Sequence, residues 1–320
     1  MSEKAPRADI LVVGSANMDM VVTTGRFPKP GETVLGSSFG MYPGGKGANQ
    51  AVAAAKLGGR VALLSRMGRD LFRDRLLESL EKDGVDTAHI LVDEETPTGI
   101  ALITVEDAGQ NEIVVVPGSN MNLAEDDVIA RRSLFQRAAC VLLQLEIPIE
   151  TVLRAATLGH AGGASVLLNP APAAELPDAL LEVVDVLTPN ESEIELLTGR
   201  TVTDRETAID AARALTERGV RHVILTLGRR GALHVTADEA RSYAAYRVDA
   251  VDATAAGDAF NGALASRMSR GEDLAAAVPF ANAVAACCVM RMGAQVSMPT
   301  AAEVEEFLRR QPAPALEDDA

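Results

Sequence analysis

Residues 251 to 262 read V-D-A-T-A-A-G-D-A-F-N-G, and they carry the strongest chemical signal in the chain. Small residues, Ala255-Ala256-Gly257, run into Asp258, and an apolar helical pattern follows. This spacing puts a carboxylate in the first turn of a helix whose unpaired backbone N–H groups favour an anion. The pair suits phosphoryl transfer: the helix start holds the moving phosphate and the carboxylate takes a proton from the attacking hydroxyl. The competing reading is an ordinary acid that stabilises a helix dipole.

Other polar residues fall at the ends of aliphatic runs, where ligands bind in open α/β sheets. Asn17-Met18-Asp19 follows the run Ile10–Gly14; Asn and Asp together suit vicinal hydroxyls, and equally an Asx turn. Gln144-Leu145-Glu146 ends another run, with Glu146 either a first-turn helix acid or a wall of the same pocket. In Gly44-Gly45-Lys46-Gly47-Ala48-Asn49 the glycines let backbone N–H groups approach a ligand. The stretch nearly spells a P-loop, but Gly47 stands where a Ser or Thr hydroxyl would meet Mg²⁺. A helix start that binds substrate hydroxyls, or a plain tight turn, remains. After Val184–Leu187, Asn190 is a helix cap or a nucleotide contact, and Glu193, one turn in, is a hard-oxygen candidate for Mg²⁺. Thr226-Leu227-Gly228-Arg229-Arg230-Gly231 is a tight turn or a backbone edge against a nucleotide.

The elements that must position these residues are legible as an alternation. Aliphatic runs at Ile10–Val13, Val61–Leu64, Val141–Leu145, Val166–Leu168, Val184–Leu187 and Val223–Leu227 read as strands buried on both faces. Helical patterns lie between most of them, at Asp70–Lys82, Ala124–Arg137, Ile149–His160, Glu191–Leu197 and Thr207–Arg218. Three more follow at Gly257–Arg270, Leu274–Met292 and Ala302–Arg310. The fold class is α/β, doubly wound, with a mainly parallel sheet and helices on both faces. Two regions break the alternation, 20–42 and 89–117. Their short β pieces (Val21–Thr23, Thr33–Leu35, Gly99–Val105, Ile113–Val116) predict a small accessory sheet that covers the site or meets a second copy. The main domain is expected over 9–310, and the acidic, Pro/Ala-rich tail Gln311–Ala320 is expected to be disordered.

Composition narrows the classes. The net charge of −15 argues against a nucleic-acid or anionic-membrane surface. Trp is absent and aromatics are 3%, so the core is aliphatic and a nucleobase acceptor would find little to stack on. Cys140, Cys287 and Cys288 lie in apolar runs without zinc or disulfide spacing, and the N-terminal MSEKAPRAD lacks an apolar signal segment. A reduced, cytoplasmic setting is expected. The apolar stretch Leu274–Met290, interrupted by Pro279 and Asn282, reads as a buried helix and not a membrane span.

Taken together, GGKGAN at 44–49, NPAPA at 169–173, TPNE at 188–191, TLGRRG at 226–231 and AAGDAFNG at 255–262 resemble the ribokinase-like, phosphofructokinase-B-type carbohydrate kinase family over about residues 9–310. The resemblance implies a doubly wound domain with a β lid that often forms a homodimer interface. It also implies transfer of the ATP γ-phosphate to a sugar or nucleoside hydroxyl. By motif, Asp258 is the base, and Ala255, Ala256 and Gly257 form the anion hole. Asn17, Asp19, Gly45, Lys46, Asn49 and Glu146 hold the sugar. Asn190, Thr226, Gly228 and Gly231 line the ATP site, with Gly257 at the phosphates and Asn282 near the adenine. Glu193 organises Mg²⁺ through water. Asp252, Thr254, Cys288, Arg291, Gly293 and Ser297 match a loop that holds K⁺ mainly through carbonyls. The sugar-side set looks suited to D-ribose, phosphorylated at its 5-hydroxyl. Deoxyribose, fructose or a nucleoside, or a non-catalytic sensor, are the alternatives. One residue departs from the pattern: Ala253 follows Asp252 where the family usually has Thr, which puts the strength of K⁺ activation in question.

Overall fold

The computed structural model describes residues 9–312 and 314. Of the expected tail only Gln311, Pro312 and Pro314 are among them, and the first eight residues lie outside. The described strands are β1 (Ile10–Val13), β2 (Asn17–Thr24), β3 (Gly36–Gly44), β4 (Val61–Gly68), β5 (Val85–Asp86), β6 (Ile90–Asp93), β7 (Gly99–Glu106), β8 (Asn111–Val116), β9 (Cys140–Leu143), β10 (Ser165–Leu168), β11 (Val186–Leu187), β12 (His222–Thr226), β13 (Ala232–Val235) and β14 (Ala240–Tyr243).

The main sheet runs β14-β13-β12-β11-β10-β9-β1-β4-β5, with β6 beside β4. Pairing is parallel from β12 through β5, while β12–β13 and β13–β14 pair antiparallel. The aliphatic runs are continuous because both faces are covered. Ile10, Val12, Leu63, Leu142 and Leu167 pack on one side against helices Lys46–Lys56, Ala256–Met268 and Leu274–Val289. Leu11, Val13, Leu64, Val141 and Leu168 pack on the other against helices Ile149–Ala161 and Arg205–Thr216. Each fully buried Leu or Val contributes about 2 kcal/mol. The α/β doubly wound class is therefore what the chain adopts. None of the helices is long and apolar enough to cross a membrane, among the described residues.

The chain leaves β1 for β4 on one side and later returns to β9 on the other. The crevice beyond the carboxyl ends of β1 and β9 is thus a topological switch point, the place where such sheets bind ligands.

A second sheet, β3-β2-β7-β8, stands off the main one. Its β2–β3 pair begins at Asn17 and ends at Gly44, which face each other in register, so Asp19 lies opposite Tyr42. Asn17 and Asp19 are strand residues, not an Asx turn.

Several expected boundaries move. Ile90–Asp93 joins the main sheet, because β4 extends past the end of β1 and offers Ser65–Gly68 as an open edge. Thr33–Leu35 is irregular, held between the turn at Gly31 and the start of β3, with Leu35 91% exposed. The helix expected over Ala124–Arg137 breaks into Glu125–Ile129 and Arg132–Phe135 at Arg131, whose φ of −110° and ψ of 18° leave the helical region. The break turns Leu134 and Phe135 into the core beside Val128. The last two residues of the run Val184–Leu187 alone form β11.

Candidate active site

Two helix starts meet at the switch point. The first is Gly45 and the helix Lys46–Lys56. Gly45 has φ +89°, and a Cβ there would sit 2.6 Å from the Asn17 nitrogen; a Cβ on Gly47 would sit 2.6 Å from the Ser15 nitrogen. These glycines therefore let two stretches of protein backbone touch, rather than bring N–H groups to a ligand. The N–H groups of this first turn are all taken. Lys46 donates to Glu146 Oε2 at 3.0 Å, Gly47 to Ser15 Oγ at 3.3 Å and Ala48 to the Ser15 carbonyl at 2.9 Å. Ser15 Oγ donates in turn to Glu146 Oε2 at 2.5 Å.

The second start is the helix Ala256–Met268. Ala255 caps it in the left-handed region, φ 59° and ψ 13°, the only non-glycine with positive φ among the described residues. That conformation costs an L-residue about 1–2 kcal/mol. The Ala256 N–H turns back to the Ala253 carbonyl at 3.2 Å, while those of Ala255, Gly257 and Asp258 meet no acceptor among the described residues. A Cβ on Gly257 would meet nothing within 4 Å, so this helix start faces open space.

Asp258 does not cap its own helix. Its Oδ2 accepts from Asn49 Nδ2 at 2.9 Å and its Oδ1 from Gln50 Nε2 at 2.9 Å, both side chains of the first helix. The two helices come this close because Gly262 faces Ala53, where a Cβ would lie 2.5 Å from the Ala53 Cβ and 2.8 Å from the Gln50 carbonyl oxygen. Asn49 Oδ1 is buried without a partner, an acceptor turned toward a missing donor.

Asp19, Lys46, Glu146, Glu193 and Asp258 form one electrostatic cluster. Burial pushes the Asp19 carboxyl up to about 7, and the charges of Glu146 and Asp258 add to it. Burial pulls the Lys46 ammonium down, but Asp258, Glu146 and Glu193 together outweigh it and hold it above its ordinary value. Burial also raises Glu193, against the Asn190 N–H and Lys46, with Asp258 adding to the rise. Polyol recognition fits such a pocket: the groups are desolvated and charged, and their remaining lone pairs and N–H groups need partners.

The expected nucleotide residues also converge. Asn190 pairs with Thr226 in an isolated parallel bridge, and the Thr226 N–H bonds the Pro189 carbonyl at 2.9 Å. Gly228 (φ +55°) is open on its Cβ side, whereas a Cβ on Gly231 would lie 2.0 Å from the Tyr243 carbonyl oxygen. Asn282 donates to that carbonyl at 3.3 Å and to Ala244's at 3.1 Å. Asn190 and Glu193 form a reciprocal capping box, at 2.8 Å each way. Among the described residues no group of three or more His, Cys, Asp or Glu could hold a metal ion. In the loop matched to K⁺, the Asp252 oxygens accept from the Thr254 and Gly293 N–H groups at 2.8 Å each. Burial alone would raise Asp252, but these bonds hold it below the ordinary carboxylate range. Cys288 Sγ lies 3.0 Å from Ser297 Oγ, and Arg291 pairs with Glu303.

A separate cavity of about 530 Å³ opens at the beginnings of β10, β11 and β12, beside His222 and His234. None of the sequence-predicted site residues lines it, and its Asp185 and Glu272 are already paired with Arg221 and Arg267.

The pfkB family carbohydrate kinase model matches residues 7–301. The chain belongs to that family. It is 40% identical to a ribokinase of Haemophilus influenzae over 302 residues, 94% of this chain and 99% of the relative. It is 39% identical to a deoxyribokinase of Salmonella typhimurium over 301 residues, 94% and 98%. Among solved structures, an Arabidopsis thaliana ribokinase complexed with ribose and ATP superposes with a TM-score of 0.89 at 33% identity, covering 95% of this chain and 99% of that one. A Thermotoga maritima ribokinase gives 0.87 at 40%, covering 94% and 99%. The structure also shows contacts that the motifs do not record: Ser15 bonds Glu146, and Gln50 ties Asp258 to Asn169, the first residue of NPAPA, and to Gln144. Ser15 and Gln50 sit next to motif residues, and that adjacency was their only mark in the sequence.

Proposed function

We propose that the protein transfers the γ-phosphate of ATP to the 5-hydroxyl of D-ribose, giving ribose 5-phosphate, with Asp258 as the general base. The observation that supports it most is the pairing of a buried carboxylate with a helix start whose Ala255, Gly257 and Asp258 N–H groups have no acceptor. Asp258 takes the hydroxyl proton as the oxygen attacks. Those N–H groups stabilise charge on the transferring phosphoryl without reorganising. Asp19, with two oxygens, accepts from vicinal hydroxyls; Asn17, Gly45, Lys46, Asn49 and Glu146 complete the sugar pocket. Asn190, Thr226, Gly228, Gly231, Gly257 and Asn282 line the nucleotide side.

No protein cage for a divalent cation exists among the described residues, which fits an ion that arrives with the nucleotide and keeps its waters. Mg²⁺ would neutralise phosphate charge, and Glu193 would orient its waters. Asp252, ionised and anchored by two N–H groups, fits a monovalent cation in charge. With Thr254, Cys288, Arg291, Gly293 and Ser297 it would hold K⁺ and brace the Ala255–Gly257 backbone.

Deoxyribose is the second reading, since the deoxyribokinase relative is as similar as the ribokinases. The two carboxylate oxygens of Asp19 suit a vicinal diol, which favours ribose, because deoxyribose lacks one of the two hydroxyls. ADP release measured across ribose, deoxyribose, fructose and nucleosides decides it. Ribose with the highest kcat/KM is expected, and a preference for deoxyribose would replace the substrate assignment.

The second sheet is proposed to close over the sugar and to form a homodimer. Every residue of β8 is exposed, including Ile113, Val114, Val115 and Val116, an apolar edge that a second copy would cover. Light scattering at micromolar concentration tests the dimer, and hydrogen exchange in β2, β3, β7 and β8 with and without ribose tests closure. The buried thiols of Cys140, Cys287 and Cys288 fit a reducing, cytoplasmic setting.

A further inference from the structure

Asp258 is held from two directions that differ in kind. Asn49 faces the sugar pocket, and its own Oδ1 is left without a donor. Gln50 is fully buried. Both N–H groups of the Gln50 amide are spent, one on Asp258 Oδ1 at 2.9 Å and one on Asn169 Oδ1 at 3.1 Å. Its carbonyl accepts from Gln144 Nε2 at 2.6 Å. Asn169 passes the order on by donating to the Thr188 carbonyl at 3.1 Å, and Thr188 Oγ1 donates to Asn261 Oδ1 at 2.6 Å. Asn261 Nδ2 then returns to the Gly257 carbonyl at 2.8 Å, in the first turn of the Asp258 helix. A flipped Gln50 amide would turn its carbonyl oxygen toward two acceptors and its NH₂ toward a donor. One orientation alone satisfies the set.

We propose that Gln50 is a positioning residue for the general base, fixing the rotation of the Asp258 carboxylate so that a lone pair of Oδ2 faces the acceptor hydroxyl. A neutral amide suits this role. Lys or Arg in its place would form a charge-assisted bond and make the carboxylate a poorer proton acceptor. Gln50 is fully buried with its amide spent on protein partners, so its removal would act on kcat through geometry and leave sugar binding to Asp19, Lys46, Asn49 and Glu146. The inference rests on the reading of Asp258 as the base.

The test compares Gln50→Leu, a shorter apolar side chain without the amide, with Gln144→Met, which removes the Gln50 carbonyl's partner but leaves both Gln50 N–H bonds. Gln50→Met serves as the second form if Gln50→Leu does not fold. For the Gln50 variants kcat is expected to fall about 10²-fold with ribose KM within about threefold, the size of a misplaced reacting group. Gln144→Met is expected to lower the melting temperature while keeping kcat within about threefold. Retained kcat in the Gln50 variants, a KM that rises in step with falling kcat, or an equal kcat loss in Gln144→Met would overturn the proposal. Asp258→Asn assayed alongside separates the two readings. If it turns over ribose at the wild-type rate, the base assignment falls; if it is inactive while Gln50→Leu is unimpaired, only the Gln50 role falls.

Discussion

The helix starts at Gly45 and at Ala255 look alike as sequence, each a run of small residues opening a helix, yet they differ in the fate of their backbone N–H groups. At Gly45 the N–H groups of Lys46, Gly47 and Ala48 are consumed by Ser15 and Glu146. At Ala255 those of Ala255, Gly257 and Asp258 stay open. Glycine content therefore does not make an anion site; unspent donors do. The closed start offers side chains to the sugar, and the open start offers backbone to the phosphate.

The comparison breaks most severely at Asp258, where the two starts touch. Asp258→Asn is expected to lower kcat about 10²–10⁴-fold while ADP binding survives. Single-turnover assays and ADP titration check it, and turnover within a few-fold of wild type would remove the base from the open start.

Asp19 is the next largest. Its carboxyl lies against Gly44, at the mouth of the closed start, and titrates at about 7 in place of its ordinary 3.8. An acid raised on folding is penalised when ionised, so its cost to the apo protein grows as pH rises from about 4 and is complete above about 7. Asp19→Asn should raise the apo melting temperature above pH 7 and progressively less toward pH 4. In wild type, ribose KM should rise as pH falls through about 7, since a protonated Asp19 accepts fewer hydroxyl bonds. In Asp19→Asn, KM should be higher, by about tenfold for one lost charged acceptor, and flat with pH. A wild-type KM that is flat across this range contradicts the assignment.

Replacing K⁺ with tetramethylammonium at constant ionic strength sharpens the contrast from the open side. We expect kcat to fall several-fold and ribose KM to stay nearly constant, because bracing Ala255–Gly257 concerns the phosphate alone. Unchanged kcat would mean that Asp252 only ties Thr254 to Gly293. The smallest effect is expected from Ser15→Ala, which frees Glu146 and the Gly47 N–H. Ribose KM should rise a few-fold and stability drop by about 1 kcal/mol, with kcat nearly unchanged. A kcat loss larger than the KM change would show that the closed start also serves the chemistry.

Much of this was legible before any coordinates. Ile10–Val13, Cys140–Leu143 and Ser165–Leu168 lie inside the sheet, and parallel strands covered on both faces have to be continuous aliphatic runs. Asp258 stood out because its helix start is local in sequence. The bonds of Gln50 to Gln144, Asn169 and Asp258 did not, although Asn169 opens the NPAPA motif, because they span 94 to 208 residues and no periodicity records such contacts. The left-handed Ala255 was hidden for a different reason: sequence preference gives that conformation to glycine. Ile90–Asp93 was misplaced because a short apolar run does not say which sheet has a free edge.

The contact of Gly262 with Ala53 has a mechanical meaning. With no side chain between them, the two helices have no cushion to slide on, and the base is locked to the sugar-side helix as one rigid body. The distance from Asp258 to Asn49 is then set at folding, by a 2.9 Å bond between the two helices. The closure proposed above therefore belongs to the second sheet, joined to this body at Asn17, Gly44, Gly99 and Val116. Gly262→Ala would act as a wedge between the helices, parting base from sugar without altering a single polar group.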